Sequence, residues 1–171
     1  RAMNSPSSTA APPAVPATPR GAAKTGTPPS VALALVQRRA AEAVLAVLAG
    51  QNADGAIARV DTTGFDGATR SALTDLTYGT LRFLGELRGI VRQFVLSKPE
   101  PLIEAMLWIA IYQLSHGKTA SHVIVSQAVA AVETVNRGAK GFANAVLRNY
   151  LRDPEGSLAK AMERDEGMWN H

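Results

Sequence analysis

Cysteine is absent from all 171 residues, which excludes disulfides, thiolate-held zinc and a cysteine nucleophile within this chain. Long apolar runs are also missing. The longest, "LIEAMLWIAIYQL", is broken by Glu104 and too short to cross a bilayer, and no basic-then-apolar signal opens the sequence. A soluble, cytoplasmic protein without membrane contact is the expectation. Nothing reads as a strand followed by a phosphate-cradling glycine loop, so no nucleotide or cofactor pocket is visible. Histidine is scarce: His116 and His122 stand six apart with no third ligand nearby, and His171 is terminal. The first two read as cap or surface residues rather than metal ligands. Acids are lacking from the first 36 residues, which carry Arg1, Arg20 and Lys24, whereas five acids outnumber Lys160 and Arg164 from Asp153 onward. The net charge of +4 therefore sits on the middle of the chain and its leading tail, a modest bias toward polyanions.

The stretch "NSPSSTAAPPAVPATPRGAAKTGTPPS" has no periodicity and a composition that cannot offset chain entropy, so residues 1–30 are expected to form a disordered tail. The chain opens on Arg1 rather than Met, and its first residues are expected to be a cloning remnant. In "VALALVQRRAAEAVLAVLAG", Val36, Ala40, Val44, Val47 and Leu48 share one helical face, and Gly50 offers a left-handed stop. A short helix over 53–60 and a turn-rich loop, "DTTGFDG", come next. The segment 69–98 repeats apolar residues at Leu73, Leu76, Thr80 and Leu84, then at Leu87, Ile90, Val91, Phe94 and Val95, which predicts two helices or one bent helix.

Pro101 suits a first helical turn, and Leu102 to Leu114 is apolar on nearly every face, the pattern of a helix buried all round. Ser121 is the expected N-cap of a helix with Val125, Ala128, Val129, Val132 and Val135 inward. The last core helix is "KGFANAVLRNYLR", with Phe142, Ala143, Val146, Leu147, Tyr150 and Leu151 at helical spacing. Beyond Pro154 a weak helix is expected. The valines never sustain a period of two, so the expected fold class is all-α, with about six to seven helices.

Candidate binding residues are basic. Arg38 and Arg39 lie on the polar side of the first helix, with Arg38 four residues before Glu42, the spacing of a solvated intrahelical pair. Arg82, Arg88 and Arg92 dot the middle helices, where paired surface roles are the ordinary reading. Glu100 and Glu104 read as a helix-start pair favoured by the dipole. The stripe Lys140, Asn144, Arg148, Arg152 contains no acid, and such a face is repulsive unless a polyanion or an acidic protein surface lies opposite.

The runs "LTYGTLRFLGELRGIV" and "LWIAIYQLSHGKTASHVIVSQAVAAVETVNRGAKGFANAVLRNYLR", with "QRRAAEAVLAVL" before them, resemble the NusB-like domain that begins the RsmB class of 16S rRNA cytosine-C5 methyltransferases. "YGTLR" and "GFANAVLRN" are the most specific parts. The resemblance implies a NusB-like bundle in two subbundles over residues 31–152, which binds and positions small-subunit ribosomal RNA without catalytic residues of its own. It also implies that 153–171 is a linker: "GMWNH" resembles the segment leading into the family's methyltransferase region, which binds S-adenosylmethionine and supplies the catalytic cysteines. That region would be a second partner of a monomeric chain. Carried over by motif, Arg38 and Arg39 match the basic start of the family's first helix, Arg82 matches the Arg of "YGTLR", and Asn144 and Arg148 match those of "NAVLR"; Lys140 and Arg152 complete the stripe. With only two arginines on the first helix, the chain departs from free-standing NusB antitermination factors, which often carry more and which remain the alternative reading.

Overall fold

The computed structural model describes residues 31–169, with side chains through Arg164. The tail expected over 1–30 and the last two residues of the "GMWNH" motif lie outside the described residues. Helix α1 runs Leu33–Leu48 and buries Val36, Ala40 and Val44 as their spacing predicts. Leu48 does not join them: the helix rotates it outward and leaves it 41% exposed. No side chain of its own caps α1. Instead Gln127, ninety-three residues away, accepts a hydrogen bond from the Ala34 N–H at 3.0 Å. Gly50, with φ 114°, follows the C-terminus in the left-handed region.

Helix α2 (Ala53–Arg59) is capped by Asn52, and α3 (Gly67–Arg82) by Asp66, whose Oδ1 accepts from the Thr69 N–H at 2.8 Å. The side-chain and then the backbone hydrogen bond from Thr69 hold the Asp66 carboxyl below its ordinary value of 3.8. A depressed carboxylate contributes stability that is present above its unfolded value and lost as pH falls through the lower folded value. Asp66→Asn keeps an acceptor but removes that charge. Its thermal midpoint is expected to fall less than the parent's between pH 5 and pH 3, which melts across that range would show.

Phe83 alone separates α3 from α4 (Leu84–Arg92), which settles the two-helix reading of that segment. The helix ends at Arg92, short of the predicted Phe94 and Val95. The N–H groups of Gln93 and Phe94 bond three residues back, to Ile90 and Val91, tightening the last turn into irregular chain. Phe94 and Val95 still pack against the core from that loop.

Helix α5 (Pro101–His116) opens with Pro at N1 and is buried on all sides, from Ile103 through Ile111. It packs against α1, α3, α4, α6 and α7, so the others are arranged around it. A buried hydrogen bond at 2.7 Å from Gln37 Nε2 to Gln113 Oε1 ties it to α1. Helix α6 (Ser121–Val135) starts one residue earlier than a Ser121 cap would have it. Ala120 takes the cap position because its carbonyl accepts from the N–H groups of Val123 and Ile124. A 3₁₀ turn (Arg137–Ala139) leads into α7 (Lys140–Arg152), whose Ala143, Val146, Leu147 and Tyr150 face the core.

The charged end of the chain forms α8 (Pro154–Trp169), which packs along α4. Gly89 makes that possible, since a Cβ there would sit 2.8 Å from the Ala161 Cβ. Gln93 Nε2 also donates to the Ser157 carbonyl at 2.6 Å. Gly89→Val is expected to push α8 off α4, so amide exchange should accelerate over 157–164 while protection in α5 stays unchanged. Among the described residues there are eight α-helices and no strand, an all-α fold with slightly more helices than periodicity predicts, and none is long and apolar enough to cross a membrane.

Candidate nucleic-acid interface

Helices α6 and α7 are joined by one 3₁₀ turn and therefore lie side by side, leaving a groove of about 510 Å³ between their outer faces. The inward set of α7 fixes its rotation, and the four-residue spacing then brings Lys140, Asn144 and Arg148 to one wall. Ser121, His122 and Ser126 line the α6 side, over a floor that includes Val125, Val129 and Leu151. No side chain caps α6, so its first N–H groups add the positive end of a helix dipole at this end of the groove.

The stripe is less bare than the α7 sequence suggests. Glu133, on α6, lies 3.7 Å from Lys140 Nζ and 4.0 Å from Arg137 Nε, so one carboxylate stands between two cations. Arg148 has no carboxylate partner among the described residues, and its Nε donates to Asn144 Oδ1 at 3.1 Å. Asn144 thus aims the guanidinium while both remain on the groove wall. Arg152 does not line the groove; at the exposed end of α7 it donates to Asn149 Oδ1 at 2.8 Å.

Arg38 and Arg39 border a second groove, of about 360 Å³, between α1 and the opposite flank of α6. Helix α6 is therefore the ridge between both basic grooves. The expected Arg38–Glu42 pair is present at 3.4 Å, and Arg38 Nη1 also donates to Thr134 Oγ1 on α6 at 2.9 Å. Arg39 is more committed. It reaches Glu42 at 3.1 Å, Asp61 at 3.9 Å, and donates to the Asp61 carbonyl at 2.9 Å, pinning the loop before α3. The same loop holds the Asp61 carboxyl below its ordinary value, chiefly through the Thr63 side-chain hydrogen bond.

Arg82 stands apart from both grooves. Its guanidinium carbon lies 5.6 Å from the Phe83 ring centroid, and Phe83 stacks on His116 at 4.2 Å, with Tyr112 beyond. The "YGTLR" signature is largely structural here. Thr77 and Thr80 are buried, and Gly79 leaves room for the Tyr112 ring, which lies directly over its backbone. Sequence reasoning missed His122 as a groove residue, and its only signal was its place in the first turn of a helix. Among the described residues, no three His, Asp or Glu side chains cluster as a metal site.

Among the described residues, eight helices, one of them buried at the centre, with a polar groove between α6 and α7, define the class: an all-α bundle that presents a basic, polar surface on the flanks of one helix. Residues 32–152 match the NusB family, and the chain belongs to that family. It is 34% identical over 104 residues to the ribosomal RNA small subunit methyltransferase B of Vibrio cholerae, covering 58% of this chain and 24% of that protein. It is 32% identical over 131 residues to the protein of the same name from Pseudomonas putida, covering 74% of this chain and 30% of the relative. The chain thus matches less than a third of these relatives' length.

Proposed function

We propose that this chain is the RNA-binding and positioning domain of a small-subunit ribosomal RNA cytosine-C5 methyltransferase. The observation that carries the reading is the α6–α7 groove, whose α7 wall presents Lys140, Asn144 and Arg148 and whose α6 side includes that helix's uncapped start. Arginine and lysine on such a wall suit phosphate oxygens, contacts that position a strand without reading its bases. Arg38, beyond the α6 ridge, extends the track. The relatives' shared name supplies the reaction class. In this reading the domain works in the cytoplasm and its second partner is its own methyltransferase region. That region holds S-adenosylmethionine: the described residues of this chain offer no strand-to-helix glycine loop that fits the cofactor, and no step is derived through it.

The test is a titration against a small-subunit rRNA fragment at several salt concentrations, beside a variant with Arg38, Arg39, Arg148 and Arg152 changed to Gln. The parent chain is expected to bind weakly, with little sequence preference and a log–log salt slope near −0.7 for each phosphate neutralised. A flat response, or a slope the folded variant keeps, would overturn the reading. Binding of neither protein would instead favour a docking face for the methyltransferase region. The second reading, a NusB-type antitermination factor that binds RNA and a protein partner, has the family match in its favour; a reading frame without a downstream methyltransferase would select it.

A further inference from the structure

A separate cleft of about 290 Å³ opens where the end of α1, helix α4 and the first turn of α5 meet. Arg88 and Arg92, one turn apart on α4, and Lys98 from the following loop all line it. None of the three forms an ion pair or side-chain hydrogen bond with another described residue, contrary to the paired surface role expected of Arg88 and Arg92. Arg88 lies over the Trp108 ring, 5.3 Å from its centroid. Trp108 is 3% exposed, and its indole Nε1 has no hydrogen-bond partner among the described residues. Glu104, 7% exposed, shares the cleft and likewise has no side-chain partner there.

These features conflict if the occupant is simple. A bare anion would suit the three cations but face Glu104, and a bare cation would suit Glu104 but face three like charges. The Glu104 carboxylate, which has no hydrogen-bond partner among the described residues, stands open to a donor in the cleft. A ligand that carries a phosphate and, a few ångströms away, a hydrogen-bond donor edge meets both the cations and Glu104. Guanine offers adjacent imino and amino donors, which match the two oxygens of a carboxylate, whereas adenine and cytosine offer one amino group. Arg88, whose guanidinium carbon lies over the Trp108 ring, supplies a planar group on which a base can stack. Leu45, which lines the cleft, follows Arg38 by two turns on the same face of α1, about 10 Å along its axis. A strand held at Arg38 can therefore continue here.

The geometry points to a nucleotide site in this cleft: it takes a guanosine unit of a single-stranded RNA, with Glu104 accepting from the guanine edge and Arg92 and Lys98 holding the phosphate. The site rests on the RNA-binding reading above. It is tested with the 171-residue chain and oligouridine strands that carry one central guanosine, inosine or adenosine. The guanosine strand is expected to bind at least about fivefold tighter than the adenosine strand, with inosine between. Glu104→Gln should erase that preference and keep the salt slope. Arg92→Gln with Lys98→Gln should weaken all three strands and reduce the slope by about 1.4. Thermal melts establish that both variants fold. Equal binding of the three strands by the parent, or a preference that survives Glu104→Gln, overturns the site and leaves groove binding standing. Failure of the parent to bind any strand at low salt overturns the RNA-binding reading and the site together.

Discussion

Arg148→Gln is expected to weaken RNA binding several-fold more than Arg39→Gln, although both remove one positive charge. The difference is what each side chain must give up. Arg39 already spans Glu42 and Asp61, so a phosphate can engage it only by competing with two carboxylates and releasing the loop before α3. Arg148 is held by a neutral amide, Asn144, which leaves its other nitrogens open to a phosphate and keeps the guanidinium oriented. Lys140 falls between them because it shares Glu133 with Arg137. Removing Arg38, Arg39, Arg148 and Arg152 together should flatten the salt slope by no more than about 2.8, and by less where the carboxylate partners already neutralise charge. Fluorescence anisotropy across a salt series measures both quantities. If the Arg39 variant loses more than the Arg148 variant, the α6–α7 groove is not where the backbone runs.

Gly79→Ala carries the largest expected effect on stability. A Cβ at that position would stand 2.6 Å from Tyr112 Cε1 and closer still to Cζ and the hydroxyl oxygen, too close for any side-chain contact. Tyr112 sits within the Phe83–His116 stack, so its ring cannot swing aside without disturbing those neighbours. Overpacking of this kind costs about 1–3 kcal/mol. The higher helix propensity of alanine offsets less than about 1 kcal/mol of it. Denaturant melts should show a lowered midpoint at unchanged slope. Gly79→Ala combined with Tyr112→Leu should recover much of the loss, because the second change removes the atoms that collide. An additive double variant would mean that Gly79 is required for another reason.

The same glycine shows why a motif and its role separate. In the sequence, "YGTLR" is a family signature with an arginine that invites a ligand role. In three dimensions Gly79 serves the contact between α3 and α5, Thr80 is buried, and Arg82 covers an aromatic ring away from both basic grooves. By contrast, the "NAVLR" stripe keeps Asn144 and Arg148 on an open wall, because four-residue spacing on one helix preserves a face wherever that helix lies. Countercharges were illegible for the opposite reason. Glu133 and Lys140 sit on different helices, and only the turn between them makes the pair.

Apolar periodicity by itself determined that the described residues form helices without strands, roughly where those helices lie, and that Leu102 to Leu114 is the buried centre, since burial depends on spacing within one element. Tertiary structure alone decided which polar groups meet. It gave α1 a cap from Gln127, turned Leu48 outward to a cleft, left Arg88, Arg92 and Lys98 without an ion pair among the described residues, and placed His122 opposite Arg148 across a groove. The physical reason is range. The hydrophobic pattern is local and repeats every turn, whereas hydrogen bonds and ion pairs act over a few ångströms between residues that may be a hundred positions apart.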